Sequence, residues 1–233
     1  MFSALILSAV IQQTPVSVLV FTKTAGFRHD SIETGVAALK ELGTDVGIRI
    51  EHTEDASFFN DDELKPYSAI VFLCTTGDIL NPNEQDAMVR FIRRGGGFLG
   101  VHAAADTEYD WPWYGQLVGG WFKSHPRIQE ARIRVLDRQH PATRHLDAEW
   151  VRTDEWYDYK ALPPTGTRVL MELDESSYEG HQMGLDTHPI AWCREFDGGR
   201  TFYTGGGHTK ESYAEPKFRQ HLLGGLMWVL KRS

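Results

Sequence analysis

Near-continuous apolar runs of strand length, each followed by a helix-like segment, constrain this chain more than any other feature. Residues 16–21 (VSVLVF) and 69–74 (AIVFLC) are short and rich in β-branched and aromatic side chains, without the polar alternation of a strand that has one wet face. Such runs suit strands covered on both faces. Between them, residues 31–42 suit a helix with Ala37, Ala38 and Leu39 inside it and Gly43 placed at its C-cap. Residues 46–50 read as a shorter second strand. Asn81-Pro82-Asn83-Glu84 then combines a capping side chain, a proline at the first helical position and a glutamate three residues after the cap. That helix is expected to reach Arg94 and to stop at Gly95-Gly96-Gly97, ahead of a fourth strand at residues 98–101. The alternation predicts an α/β fold: a doubly wound, mostly parallel sheet with helices on both faces.

The second half has a different pattern. Residues 129–136 (QEARIRVL) alternate polar and apolar, as a half-exposed strand does, and residues 167–173 are strand-like. Residues 190–196 and 200–204 flank Asp197-Gly198-Gly199, a hairpin signal, and residues 217–230 read as a closing helix. No linker, internal repeat or low-complexity tract interrupts residues 15–232, which we read as one domain with an antiparallel extension. The 233-residue length supports a substantial core.

The formal charge of −8, with scattered Lys and Arg, argues against a nucleic-acid partner. Cys74 and Cys193 sit in apolar runs, far apart, and read as small buried hydrophobes. Residues 1–14 are apolar at first and then polar, too short to span a membrane. They have no leading Lys or Arg and no A-x-A site, so they read as a signal-peptide core or a disordered N-terminus. A secreted or periplasmic location is slightly favoured over a cytoplasmic one. No G-x-G-x-x-G follows the first strand, so no nucleotide or flavin fingerprint is present.

In open parallel sheets, ligands bind beyond the carboxyl ends of the strands. The residues expected there are His29 after the first strand, Thr76 and Gly77 after the third, His102 and Asp106 after the fourth, and His208 after the hairpin. FLGVHAAAD places His102 where a sharp strand-to-helix turn often presents a nucleophile. A lone histidine is more often structural, but convergence of several strand ends raises His102 and His208 above that. If both act on one substrate group, they must lie within about 10 Å of each other. His125, in the glycine- and aromatic-rich GGWFKSHP, is a further candidate. His140 and His188, also before proline, read as turn or strand-entry markers. Tyr109, Trp111, Trp113, Tyr114, Trp121 and Phe122, with Trp156, Tyr157 and Tyr159 of DEWYDY, are expected to pack in the core or to form a platform for a small polar ligand such as a sugar. Asp154 and Glu155 supply carboxylates beside it.

FTKTAGFRHDSI, GGGFLGVHAAAD, FKSHP, HPATRHL, DEWYDY and GGGHT, in that order, resemble the ThuA-like family, named for a trehalose-utilisation protein. The resemblance covers about residues 16–230. That family is similar in fold to class I glutamine amidotransferases, which implies a flavodoxin-like sheet. Carried over by position, the nucleophile's place is taken by His102, and the catalytic histidine's by His208. The acidic partner, two residues beyond, is replaced by Lys210, with Glu211 one further. Glutamine amidotransfer is therefore not expected.

The resemblance implies a small-molecule carbohydrate partner, with a separate sugar dehydrogenase in the same pathway supplying a 3-keto form. A ketone acidifies the neighbouring C–H, so acid–base chemistry on a keto-sugar or glycoside, as a lyase, isomerase or hydrolase, is the leading expectation. His102 and His208 would be acid and base. His29, His125, Asp106, Glu155 and Trp156 would bind substrate, and the backbone N–H groups at Thr76-Gly77 would hold an oxyanion. The alternative is a non-catalytic sugar-binding or scaffold protein that kept the pocket and lost its nucleophile. No cofactor is required by the sequence, although His29, His102, His125, His208 and Glu155 offer ligands to a divalent metal. A homo-oligomer is compatible with all of this.

Overall fold

A computed structural model describes residues 16–184 and 187–232, so the N-terminal segment read as a leader or a disordered tail lies outside the described residues. The chain begins β1 (Val16–Phe21), α1 (Ile32–Asp45), β2 (Ile48–Thr53), a short α2 (Asp61–Leu64), β3 (Tyr67–Leu73), α3 (Pro82–Arg93) and β4 (Gly97–Val101). It continues through α4 (Pro112–Val118), β5 (Phe122–Ser124), β6 (Gln129–Val135), β7 (Glu149–Asp154), β8 (Asp158–Tyr159) and β9 (Arg168–Leu173). The hairpin β10 (Pro189–Phe196) and β11 (Gly199–Thr204) follows, and α5 (Pro216–Val229) ends the described chain.

Nine strands form one sheet in the order β2-β1-β3-β4-β11-β10-β9-β6-β7, while β5 and β8 pair as a separate ribbon. The first five strands of that order are mutually parallel and the remaining pairings are antiparallel. β1, β3 and β4 lie in the parallel half, and their apolar runs are almost wholly buried. The expected α/β fold, mostly parallel with an antiparallel extension and flanking helices, is what forms.

Local chemistry accounts for most boundaries. Asn81 caps α3 through the N–H groups of Asn83 and Glu84, and the Glu84 carboxylate accepts the Asn81 N–H in return. Asp197 and Gly198 both take positive φ (47° and 94°), the geometry of a tight hairpin turn between β10 and β11. Gly43 is not the cap of α1: the helix continues to Asp45, and Gly43 lies inside it. There a Cβ would come within 2.5 Å of Ile50 Cγ1 and 2.7 Å of the Ile48 carbonyl, so the glycine lets the helix lie close on β2. The aromatic stretch after His102 contains α4, with Pro112 in its first turn. β7 was not anticipated.

β7 decides where the site is built. Four antiparallel pairings separate it from β11, so it runs in the same sense as the parallel strands. The chain leaving β7 therefore emerges at the same edge as the chain leaving β1, β3, β4 and β11.

Candidate active site

His102 is the first residue beyond β4, fully buried and at φ 50°. For a non-glycine residue this left-handed conformation costs on the order of 1–3 kcal/mol and persists only where its surroundings enforce it. Here Tyr203 donates its hydroxyl to the His102 carbonyl (2.9 Å), and buried Ala103, Ala104 and Ala105 continue as a tight 3-10 turn. The imidazole packs on the Tyr157 ring at 4.2 Å between centroids. Its Nδ1 is 2.9 Å from the Gly205 carbonyl. A carbonyl only accepts, so Nδ1 carries a proton, and Nε2 is the nitrogen that faces the other residues of the site.

His208 is held by its backbone. The buried Asp154 carboxylate accepts the N–H groups of Gly207 (2.8 Å) and His208 (3.1 Å), the Ser212 hydroxyl (3.0 Å) and the Arg152 guanidinium (2.8 Å). Burial alone would raise this carboxyl. The Arg152 charge, His102 and the donated N–H groups outweigh it and leave the group below the ordinary carboxylate range. Gly207 turns the chain at φ 108°, where a Cβ would meet the Tyr213 hydroxyl at 2.8 Å.

His29 comes from the loop between β1 and α1 and is buried. Thr76 fastens that loop: its hydroxyl donates to the Phe27 carbonyl (2.9 Å), and its own carbonyl accepts the Ala25 N–H (2.8 Å). The Gly77 N–H is donated to the Asp106 carbonyl at 2.8 Å. An oxyanion role for Gly77 is thereby corrected, because its donor is already engaged. Thr76 and Gly77 brace the loops around the site.

Four strand ends meet. One ligand atom each from His29, His102, Glu155 and His208 lies within 4.8 Å of the others. His102 Nε2 is 3.2 Å from His208 Nδ1 and 3.4 Å from Glu155 Oε2, and His208 Nδ1 is 3.1 Å from the same oxygen. His102 and His208 thus satisfy the distance required of residues acting together. The His29 ring stands edge-on to both, 4.9 Å and 5.0 Å between centroids.

The electrostatics are those of a compact, polar nest. Burial, reinforced by the neighbouring imidazoles His102 and His208, pushes His29 down to about 3, so it is neutral at ordinary pH. Burial also disfavours the charged form of His208, but the Glu155 hydrogen bond and charge prevail and raise it. Glu155 is held well below the carboxylate range by His102 and His208 in spite of desolvation.

The remaining expected residues divide. His125, 43% exposed, leaves β5 and places Nδ1 3.1 Å from Glu155 Oε1 and 2.9 Å from the Pro126 carbonyl. It flanks the four. Asp106 accepts the Tyr109 hydroxyl at 2.6 Å, and burial raises its carboxyl. It is not among the four. Trp156 is fully buried, with its indole N–H donated to the Gln129 carbonyl (2.9 Å). It belongs to the core, and the substrate-binding expectation for it is corrected on that ground. Tyr114, Tyr157 and Tyr159 are likewise buried, so the aromatics are mainly packing.

Sequence reasoning missed the entrance. A cleft of about 610 Å³ is lined by Phe27, Arg28, Asp30, Ile128, His208, Thr209, Lys210 and Glu211. Phe27 is 67% exposed, and its ring meets His29 edge-on at 4.9 Å. A single exposed phenylalanine in a polar loop carries no periodic signal that would reveal it.

Residues 17–229 match the family model ThuA, described as trehalose utilisation. The chain belongs to the ThuA family. A protein described as ThuA-like from Bacteroides uniformis ATCC 8492 superposes with a TM-score of 0.80 at 24% identity, covering 96% of this chain and 95% of that one. A second, from Parabacteroides merdae ATCC 43184, gives 0.73 at 19% identity over 93% and 90%. A β-galactosidase from Bacillus circulans sp. alkalophilus shares the fold at a TM-score of 0.58 and 13% identity, over 92% of this chain and 30% of its own. No curated protein matches by sequence. ThuA membership supports a role related to carbohydrate metabolism. Among the described residues, no helix is long and apolar enough to cross a membrane.

Proposed function

We propose that this ThuA-family protein is an enzyme that moves a proton on a keto-sugar or keto-glycoside at the His29–His102–Glu155–His208 cluster. The observation that carries the reading is the meeting of three imidazoles and one carboxylate from four separate strand ends within 4.8 Å, next to an open cleft that His208 also lines. Convergence of that kind on one point is the arrangement of a reactive centre rather than of scattered structural histidines.

A ketone at one sugar carbon acidifies the adjacent C–H. Removing that proton develops negative charge on the ketone oxygen, and the cluster answers it with positive charge, since Glu155 favours the cationic form of His208. His102, buried and with its proton donated to Gly205, fixes the geometry and does not shuttle protons. That role falls to His125: its Nδ1 is engaged by Glu155 and Pro126, which leaves Nε2 of this partly exposed side chain to take the carbon-bound proton. Returning a proton to the opposite face of the same carbon epimerises the sugar. Delivering it to a leaving glycosidic oxygen, as the C–O bond breaks and the enolate electrons form a C=C bond, makes the reaction an elimination.

Purified protein offered 3-keto-trehalose and simple 3-keto-glucosides should turn one of them over. His125→Ala and His208→Ala should each lower kcat by roughly 100-fold or more. No turnover of any of these sugars, or undiminished turnover by His208→Ala, would overturn the reading.

A further inference from the structure

We infer that His29, His102, His208 and Glu155 bind a divalent transition-metal ion through three imidazole nitrogens and one carboxylate oxygen. The inference rests on the cluster being the reactive centre; with an ion bound, His208 ligates as the neutral imidazole, and the ion takes the place of the protonated His208 as the source of positive charge.

The first argument is geometric. His102 Nε2, His208 Nδ1 and Glu155 Oε2 form a triangle with edges of 3.1, 3.2 and 3.4 Å. An ion about 2.1 Å from each, an ordinary metal–nitrogen or metal–oxygen bond, would see them roughly 95–110° apart. That lies between octahedral and tetrahedral angles. His29 brings a fourth ligand atom within 4.8 Å of these.

The second argument is the outer shell. A metal-bound imidazole characteristically donates its other ring N–H to a carbonyl or carboxylate, which fixes both its tautomer and its orientation. His102 does this: Nδ1 is directed to the Gly205 carbonyl, so Nε2 is the bare nitrogen that faces the other ligands. Glu155 presents Oε2 inward while Oε1 is held by His125 at 3.1 Å. His208 is fixed through its backbone N–H to Asp154. Each of these three ligands is oriented by a partner that is not itself a ligand.

The third is an unmet polar atom. His29 Nδ1 is buried without a hydrogen-bond partner, although buried polar nitrogens are rarely left so. A histidine kept in that state beside two others and a carboxylate belongs to a site that an ion completes. Three nitrogens and one oxygen suit Zn²⁺, Co²⁺ or Mn²⁺ better than the all-oxygen preference of Ca²⁺ or Mg²⁺. In the mechanism the ion supplies Lewis acidity toward the ketone oxygen. His125 stays outside the coordination set, although it offered itself as a ligand by residue type, and remains free to move the proton.

The test uses the full chain, purified without chelator or polyhistidine tag. Elemental analysis should find close to one equivalent of a transition metal, or the protein should take up one equivalent of Zn²⁺ in calorimetry at micromolar concentration. Co²⁺ loading should give the intense visible absorption of a low-symmetry site. Glu155→Gln and His29→Ala, checked for folding by circular dichroism, should weaken Zn²⁺ binding at least 100-fold. His125→Ala, which removes only an outer partner, should weaken it by about 10- to 100-fold or less. A folded protein that binds none of these ions, or Glu155→Gln and His29→Ala variants that bind as tightly as the parent, overturns the inference. Metal bound with keto-sugars inert would retain the site and reject the proposed reaction. Turnover by protein shown to be free of metal would do the reverse.

Discussion

His208 Nδ1 lies 3.1 Å from Glu155 Oε2, and both residues take their positions from Asp154, whose carboxylate accepts the His208 N–H and directly precedes Glu155 in the chain. One buried aspartate thus joins the end of β7 to the glycine-rich loop after β11. Asp154→Ala would remove the acceptor of three backbone N–H groups, those of Glu155, Gly207 and His208, and one partner of buried Arg152. Unfolding in urea should show a loss of about 3–5 kcal/mol, the usual cost of breaking a buried pair from one side. A loss below about 1 kcal/mol would mean that the loop is anchored elsewhere.

Phe27 is exposed at the mouth of the cleft and contributes little to the core. Phe27→Ala should leave stability within about 0.5 kcal/mol of the parent. If a sugar ring packs on it, KM for a keto-glucoside should rise about 3- to 10-fold with kcat retained. Steady-state kinetics check this, and an unchanged KM would remove Phe27 from the substrate path.

Two glycines separate steric limits from backbone strain. In α5, a Cβ on Gly224 would fall 2.3 Å from the Pro141 carbonyl oxygen and 2.5 Å from Ala142 Cα, both backbone atoms that cannot step aside. Alanine gains about 1 kcal/mol of helix propensity there, yet Gly224→Ala should still destabilise by roughly 1–3 kcal/mol or more. Gly47, at φ 69° with open space around it, should lose only about 1–2 kcal/mol as alanine. Thermal or urea melts of both variants measure the losses, and a Gly224→Ala variant as stable as the parent, or a Gly47→Ala loss well above about 2 kcal/mol, would contradict them.

Acid should destabilise the fold through His140 and His221. Burial pushes His140 down to about 4, with Arg168 adding to the shift and Asp137 opposing it. Burial pushes His221 to about 3, against its bond to the Ala142 carbonyl and with His145, Arg152 and His140 nearby. Both pKa values lie below the unfolded value near 6.5, so the unfolded chain binds more protons as pH falls. Stability is then complete above about pH 6.5 and declines from there toward pH 3–4. At pH 4.5 each histidine should have removed about 2–3 kcal/mol. Urea melts from pH 7.5 to 4.5 measure it, and a flat profile would contradict the neutral burial of these rings.

The readable parts of the fold were those encoded locally. The runs that became β1, β3 and β4 identify themselves because a strand covered on both faces has no reason to alternate. The Asn81 capping box and the Asp197-Gly198 turn are complete within four residues. His102 and His208 were legible for a related reason: a polar side chain directly after a buried strand, or in the short glycine loop that leaves one, emerges at the sheet edge. Gly43, Gly77 and Trp156 are not legible locally, because their surroundings depend on distant partners: β2 lying on α1, the Asp106 carbonyl meeting Gly77, and the Gln129 carbonyl taking the indole N–H.

The sequence by itself determined a parallel α/β core, the places where its strands end, and histidines at three of those ends. Whether Glu155 joins them rests on the direction of β7, which follows from four successive antiparallel pairings between segments far apart in the chain. Which nitrogen of His102 faces inward rests on the Gly205 carbonyl, supplied by the loop that follows β11. Strand formation follows from side-chain patterning over a few residues. A cluster of ligand atoms 3.1–3.4 Å apart is set by strand order and long-range hydrogen bonds, and only the tertiary structure fixes those.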